Sequence, residues 1–329
     1  MEEAHPAPGD LFVILELGLK MDWPLVEKLR SRGVIVGGVV YDLEPVRNPQ
    51  FFPENTVNRF PAWLKAIGTH YDFALTISQT VGGHLQQYYR DNLIATRLTN
   101  DRIVAFRLGS ELDGVAAAEL KKNSVRPELI QQLEDNTRPT LLNVGTIEPR
   151  KNHTLLLDAF DNALARGADV CCLIVGVIGW KCEDVVQRMQ SHPERGRRLL
   201  VYHDLNDEEL KYVYSQADAL AYTTHAEGYG LPVTEAMLAG LPVIANDLPV
   251  LRETSGNQAV FLSPTDVEAW GAAFQQFALG ELKFPPPNDS HTVAISWRES
   301  TQRFLNQIIN LTNTFASEDE LSTPRAKSA

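Results

Sequence analysis

Strand-like and helix-like hydrophobic patterns alternate along most of the chain. Apolar runs at Leu11 to Leu17, Val34 to Tyr41, Phe73 to Ser78 and Arg102 to Arg107 are separated by helix-like segments, which predicts a parallel sheet covered by crossover helices. A polar stretch, Glu111 to Thr137, interrupts the pattern, and its charge and its Asn and Ser content predict a linker and a surface helix. The alternation then restarts. Strands are predicted at Thr140 to Val144, Val170 to Val177, Leu199 to Tyr202, Ala219 to Tyr222 and Pro242 to Ala245, with helices at stretches such as His153 to Arg166 and Asp207 to Gln216. This is the pattern of a second doubly wound α/β sheet. Beyond Pro285-Pro286-Pro287, Trp297 to Leu311 predicts a separate helix, and the polar ends carry no periodic apolar face. The expected organisation is a disordered tail at 1–9, a first domain at 10–125, a second at 126–290, a closing helix at 291–316 and a disordered tail at 317–329.

Composition narrows the chemistry. A chain of 329 residues with 44% apolar residues buries two domains more naturally than one. The formal net charge of -12 argues against nucleic acid, whose phosphates draw on clustered Lys and Arg. The longest apolar stretches, such as Val34 to Tyr41, are far short of the roughly 18 to 20 residues that span a bilayer. The acidic start, Met1-Glu2-Glu3, is not that of a signal peptide, so a cytoplasmic protein is expected. Cys171 and Cys172 are neighbours on a predicted strand, where their side chains point to opposite faces; with neither metal spacing nor a disulfide framework, no protein-bound metal is expected. His70, His84, His153 and His291 have no second ligand at a usable offset and read as surface or packing residues.

The stretch that carries chemistry is His225-Ala226-Glu227-Gly228-Tyr229-Gly230-Leu231-Pro232-Val233-Thr234-Glu235. It lies between a strand and a short helix expected from Pro232 to Gly240, since Pro suits a first helical turn and Gly the position past the end. Its glycines let the backbone approach a ligand, and the helix start favours a negatively charged group, which together describe a diphosphate cradle. Glu227 and Glu235 flank the cradle and can accept hydrogen bonds from vicinal hydroxyls at the two ends of one molecule. The competing reading is local: Glu in a first helical turn stabilises it by about 0.3–1 kcal/mol with no ligand at all. A second element, Gly145-Thr146-Ile147-Glu148-Pro149-Arg150-Lys151-Asn152, follows a strand, with Asn152 as an N-cap. Arg150 and Lys151 then sit where open α/β sheets bind ligands, able to neutralise a diphosphate, although either also reads as a surface cation.

These stretches, with Asp207-Glu208-Glu209-Leu210, Tyr214-Ser215-Gln216-Ala217-Asp218 and Leu241-Pro242-Val243-Ile244-Ala245, resemble the retaining glycosyltransferases of family 4 over about Thr140 to Leu262. Ser296-Trp297 is similar to the start of that family's closing helix. Tyr41-Asp42-Leu43-Glu44-Pro45 and Ser78-Gln79-Thr80 resemble the branch that often acts on mannose and makes surface polysaccharides such as O-antigen. The resemblance implies the α/β GT-B fold: two Rossmann-like domains facing across a cleft, the last helix crossing back to the first. It implies Glu235 on the ribose, Glu227 on the donor sugar, and Lys151 and Arg150 on the diphosphate. Gly145, Thr146 and the backbone of Gly228, Tyr229, Gly230 and Leu231 would lie at the sugar and distal phosphate, and His203 and Leu205 at the base. Glu227, Lys151 and Asp42 are the residues it implies for catalysis, with configuration retained and no cofactor beyond the nucleotide sugar.

Two departures stand out. Many relatives carry Arg where this chain has Thr146 and His where it has Tyr41, and the first domain is shortened to about 110 residues where well over 150 are usual for the family. The expected function is transfer of a sugar, mannose favoured, from a GDP- or UDP-sugar to a glycan or lipid-linked acceptor, with peripheral contact at the inner face of the membrane. The alternative is a catalytically weak nucleotide-sugar-binding subunit that completes or regulates a partner protein. A GT-B epimerase or phosphorylase would need further acid/base or cofactor residues, and no cofactor lysine motif is seen. His225 either borders the donor or is structural. Phe51-Phe52 and Phe60 to Leu64 are expected to pack the first domain, with an apolar platform for a lipid-linked acceptor as the other reading.

Overall fold

The structure, a computed structural model, describes residues 6–111, 122–286 and 294–322. Expectations for His291, Pro287 and the two ends of the chain at 1–5 and 323–329 lie outside the described residues. The described residues form two compact units, one drawn from Met1–Leu43, Asn58–Leu108 and Trp297–Ala329, the other from Glu44–Val57 and Gly109–Ser296. Both are α/β.

Along the chain, β1 (Leu11–Ile14), α1 (Trp23–Ser31) and β2 (Ile35–Val40) come first, then α2 (Glu44–Arg47), α3 (Glu54–His70), β3 (Phe73–Thr76), α4 (Gln79–Asp91) and β4 (Ile103–Ala105). The strands of the first unit are parallel and stand in chain order, β1-β2-β3-β4. Parallel crossovers are right-handed, so a sheet that always steps the same way puts its connecting helices on one face. Gly82 of α4 lies over Thr76 and Ile103 on that face. On the other, Phe73 meets Phe315 of the closing helix, whose Phe304 also packs edge-on against Phe106. β1 ends at Ile14, short of the Leu17 expected, because its pairing to β2 stops there; Leu15 is 56% exposed. Pro6–Gly9, expected to be part of a disordered tail, is tied down by Gly9 N–H to the Gly33 carbonyl (2.8 Å).

The second unit carries α5 (Pro127–Glu134), β5 (Thr140–Val144), α6 (His153–Ala165), β6 (Cys171–Val175), α7 (Glu183–Ser191), β7 (Leu199–Tyr202), α8 (Asp207–Gln216) and β8 (Ala219–Tyr222). It continues through α9 (Leu231–Leu238), β9 (Val243–Asn246), α10 (Pro249–Ser255), β10 (Val260–Leu262) and α11 (Val267–Ala278), and α12 (Trp297–Ser322) closes the described chain. Its sheet is parallel throughout, in the order β10-β9-β8-β5-β6-β7. The winding reverses between β5 and β8, so helices cover both faces and a topological switch point opens at the carboxyl ends of those two strands. Cys171 packs with Leu142, Leu173 and Leu220 on one face, and Cys172 with Leu141, Ile174 and Phe160 on the other, as alternation along a strand requires.

Two expectations change. α5 was expected at the surface, yet Val125, Leu129 and Leu133, spaced by four, lie in the core beside Leu142 and Tyr212. α12 runs to Ser322, into the stretch expected to be disordered, since Glu and Leu extend a helix already nucleated at little cost. The loops that leave β5 and β6 are also held close together. A Cβ on Gly176, just past β6, would stand 1.9 Å from the Gly145 carbonyl oxygen just past β5. Because backbone meets backbone there, no rotamer change relieves the clash. Gly176→Ala is expected to cost about 1–3 kcal/mol or more, read as a lowered urea midpoint; an unchanged midpoint would mean the approach is not required.

Candidate active site

The loops after β5 and β8 are stitched together before any charge is considered. The Thr223 hydroxyl reaches the carbonyls of Lys151 (3.2 Å) and Asn152 (3.1 Å), and the His225 N–H donates to the Arg150 carbonyl (2.7 Å). From β9, the Asn246 amide donates to the carbonyls of Thr223 (2.6 Å) and Thr224 (2.8 Å). Asn152 adopts a left-handed conformation and accepts from Leu155 N–H (3.3 Å), starting α6 and turning Lys151 inward. Gly145 leaves the space: a Cβ there would touch Lys151 Cε at 3.3 Å.

Four charges and a phenol then meet at the switch point. Lys151 Nζ donates to Glu227 Oε1 (2.5 Å) and to the Tyr222 hydroxyl (2.8 Å), which itself donates to Glu227 Oε1 (2.7 Å). Arg150 Nη1 lies 2.9 Å from Glu227 Oε2 and donates to the Ala226 carbonyl (2.7 Å), while its Nε and Nη2 face Glu148 Oε1 at 3.0 and 2.7 Å. All are buried or nearly so, and burial penalises each charge. Burial alone would raise Glu227, yet Lys151 and Arg150 override it and hold the carboxyl at about 2. Burial pulls Lys151 down, with Glu227 opposing, and pushes Glu148 up, with Arg150 opposing. The cluster is balanced, two cations against two carboxylates.

Gly228, Tyr229 and Gly230 are buried and lead into α9; Gly230, at φ +88°, is its N-cap, and Leu231 is its first residue. Glu235 lies in α9. Its Oε2 accepts from the Tyr214 hydroxyl (2.7 Å), and Oε1 makes no hydrogen bond to any described residue. Burial raises Glu235 above the ordinary carboxylate range, with Tyr214 and then Lys151 opposing. The His203 ring bonds the Gly176 carbonyl through Nδ1 (2.9 Å), and Leu205 packs at the edge of the core. Thr146 lies between Gly145 and Ile147, whose N–H donates to the Val177 carbonyl (2.8 Å). The structure thus brings Lys151, Arg150 and Glu227 together around Gly145, with Glu235 within electrostatic reach of Lys151. Asp42 follows β2 in the first unit.

Phe51 and Phe52, expected to pack the first domain, fall in the second unit. The Phe51 ring stacks on His225 at 5.0 Å, its carbonyl accepts from Trp180 Nε1 (2.8 Å), and the Phe52 carbonyl accepts from Lys181 Nζ (2.6 Å). Phe60, Trp63 and Leu64 are buried in the first unit. Four residues at the site were not assigned a role from sequence: Glu148, Tyr214, Tyr222 and Asn246. Tyr222 and Asn246 end apolar strands and Tyr214 lies in an amphipathic helix, so each reads as core; Glu148 differs in being a carboxylate two residues from Arg150, a signal that was available. Among the described residues, no group of three or more His, Cys, Asp or Glu is arranged to hold a metal ion, and no helix is long and apolar enough to cross a membrane.

Since the Glu227 carboxyl is depressed in the folded state, the stability it contributes is present above its ordinary value of 4.5 and is lost as pH falls toward about 2. Glu227→Gln leaves Lys151 and Arg150 buried without their shared counter-charge, and is expected to cost about 3–5 kcal/mol at neutral pH. It should also flatten the loss of stability between those two pH values. Urea unfolding of both proteins at neutral pH and midway through that interval checks this; equal stability at neutral pH would refute it.

Residues 125–286 match the family model described as glycosyl transferases group 1. The chain is 28% identical over 291 residues to the serotype-specific mannosyltransferase WbdA of Escherichia coli, covering 86% of this chain and 34% of WbdA. It is 28% identical over 236 residues to the O-antigen chain mannosyltransferase RfbU of Salmonella typhimurium, covering 72% and 59%. It therefore spans about a third of the one relative and 59% of the other. Among solved structures, Anabaena Alr3699/HepE in complex with UDP and glucose aligns at a TM-score of 0.60 and 14% identity, over 94% of this chain and 77% of that one. An alpha,alpha-trehalose-phosphate synthase (UDP-forming) from Burkholderia vietnamiensis aligns at 0.61 and 14%, over 96% and 76%. The two parallel α/β units have the GT-B fold, and the chain is similar to the group 1 glycosyl transferases over residues 125–286 and to the O-antigen mannosyltransferases.

Proposed function

We propose that the chain is a retaining hexosyltransferase that moves a sugar, mannose favoured, from a nucleoside-diphosphate sugar to a glycan or lipid-linked acceptor in surface polysaccharide assembly. The observation that carries this reading is the buried Lys151–Glu227–Arg150 cluster at the switch point, with the Glu235 carboxylate beyond the turn between them. The WbdA and RfbU relatives, both mannosyltransferases by name, support mannose. On this reading Lys151 uses its third N–H, the one not directed at Glu227 or Tyr222, for a phosphate oxygen, and the first turn of α9 faces the diphosphate. Glu227 accepts from the donor sugar's hydroxyls, Glu235 from the ribose, and His203 and Leu205 border the base. The cations meet the diphosphate charge, so no metal is invoked. GDP is the favoured nucleotide and UDP its competitor.

The chemical step follows from what Glu227 is already doing. One of its oxygens accepts a hydrogen bond from Lys151 and the other is ion-paired with Arg150, which lowers their nucleophilicity, so the carboxylate orients the sugar and forms no bond to it. The bond from the anomeric carbon to the diphosphate breaks with its electron pair on the leaving oxygen, where Lys151 and the α9 amides stabilise it. The acceptor hydroxyl attacks the same face, its proton passing to the departing phosphate, and configuration is retained. Three free, buried cysteines suit work in the cytoplasm, and a lipid-linked acceptor would bring the chain to the inner face of the membrane. One observation favours a second reading: the first unit's strand order, β1-β2-β3-β4, contains no reversal and so no switch point of its own. A subunit that needs a partner protein would gain turnover only when that partner is added.

Thermal unfolding with GDP, UDP and ADP in parallel tests the donor site. A nucleotide at 100 times its Kd should stabilise by about 2.7 kcal/mol, and Glu235→Ala should abolish the shift. No shift with any of the three, in protein that is folded, would overturn the reading.

A further inference from the structure

Glu227 and Glu235 each have a buried phenol behind them. Tyr222 serves Glu227 from the end of β8, and Tyr214 serves Glu235 from α8. The two pairs differ. Glu227 also takes Lys151 and Arg150, whereas the Glu235 carboxylate has the Tyr214 hydroxyl as its one hydrogen bond among the described residues. Tyr214 is 2% exposed, so its own hydrogen has no water to turn to. Its ring is fixed in the core with Tyr212, Val213 and Leu220, which removes the freedom of the hydroxyl to follow a moving carboxylate.

We propose that Tyr214 is the positioning residue for Glu235: its hydroxyl holds Oε2 from the core side, leaving Oε1 to receive the vicinal hydroxyls of the nucleotide ribose. This rests on the reading of the site as a nucleoside-diphosphate sugar site and adds to it a residue that never touches the ligand. The groups facing Glu235 are Tyr214 from α8, Tyr222 from β8 and Lys151 from the loop after β5. Against burial, which favours the protonated carboxyl, the Tyr214 hydrogen bond is the larger of the two influences that favour the ionised one. A ribose diol donates to a carboxylate, so binding weakens as pH falls through the Glu235 pKa. Without the phenol that pKa rises, and the weakening begins at higher pH.

The test is calorimetric binding of GDP, with UDP and ADP alongside, to wild type, Tyr214→Phe and Glu235→Gln across the acid-to-neutral range. Tyr214→Phe keeps the ring and its packing, and an unchanged near-UV circular dichroism spectrum shows that the fold is intact. The expected result is binding about tenfold weaker at neutral pH in Tyr214→Phe, with its acid limb moved to higher pH. In Glu235→Gln that limb should be absent. In turnover, the KM for the donor should rise while kcat holds. If Tyr214→Phe matches wild type in affinity and in the position of the limb, Tyr214 is a packing residue and the proposal fails, while the donor site stands. If Glu235→Gln itself binds like wild type, Glu235 is not at the ligand, and the donor reading falls with the proposal.

Discussion

The interaction on which the second unit depends is the pairing of two buried cations with Glu227. An unpaired charge in such surroundings costs several kcal/mol, so Lys151 and Arg150 could not be turned inward unless a carboxylate met them there. That requirement joins two loops 76 residues apart in sequence. It also explains the density of neutral hydrogen bonds around them. Thr223 and Thr224 tie the backbone of residues 150–152 to the end of β8, and Asn246 of β9 braces that end in turn, which fixes the two halves of the ion cluster at one separation. A charge pair in a low-dielectric setting is sensitive to distance, and amide and hydroxyl bonds supply the rigidity that the charges alone do not.

The parallel sheet places this cluster, but only because its winding reverses. Between β5 and β8 the crossovers leave in opposite directions, so no helix covers the gap between the two strand ends. In the first unit the strands run in chain order, every crossover steps the same way, and no such gap opens among β1 to β4. The same α/β pattern therefore yields a switch point in one unit and a sheet with no reversal in the other. What decides between them is strand order, which is a property of the three-dimensional arrangement.

That difference marks where the sequence is legible. The strands of the second unit are continuous apolar runs bounded by polar or glycine-containing turns, and Thr140–Val144, Leu199–Tyr202 and Ala219–Tyr222 have the limits expected of them. β10, a three-residue edge strand, is too short for any periodicity and was not anticipated. The buried stripe of α5 was present in the spacing of Val125, Leu129 and Leu133 and was masked by the polar composition around it. For the candidate site, Lys151, Arg150 and Glu227 were identified from local signals of glycine, proline and charge, because the loops after β5 and β8 carry those signals. Their supporting residues were not. A tyrosine in a helix or strand bounded by apolar residues reads as core until the structure shows which carboxylate its hydroxyl meets, and Phe51 reads as packing for whichever sheet is nearest in sequence.

The balance of charge in the cluster bears on how a phosphate-bearing ligand would enter it. Glu148 and Glu227 neutralise Arg150 and Lys151, so the crevice does not present the open positive field of a simple phosphate trap. A diphosphate alone would meet the helix start of α9 and one remaining N–H of Lys151, with the Glu227 carboxylate close by and repelling it. A sugar attached to that diphosphate changes the sum, since its hydroxyls donate to the same carboxylate and disperse its charge. The geometry therefore rewards a ligand that carries phosphate and hydroxyl donors together over one that carries phosphate only. Discrimination of this kind comes from placing a repulsive group beside an attractive one, and here a single glutamate, held by two cations and a phenol, does both.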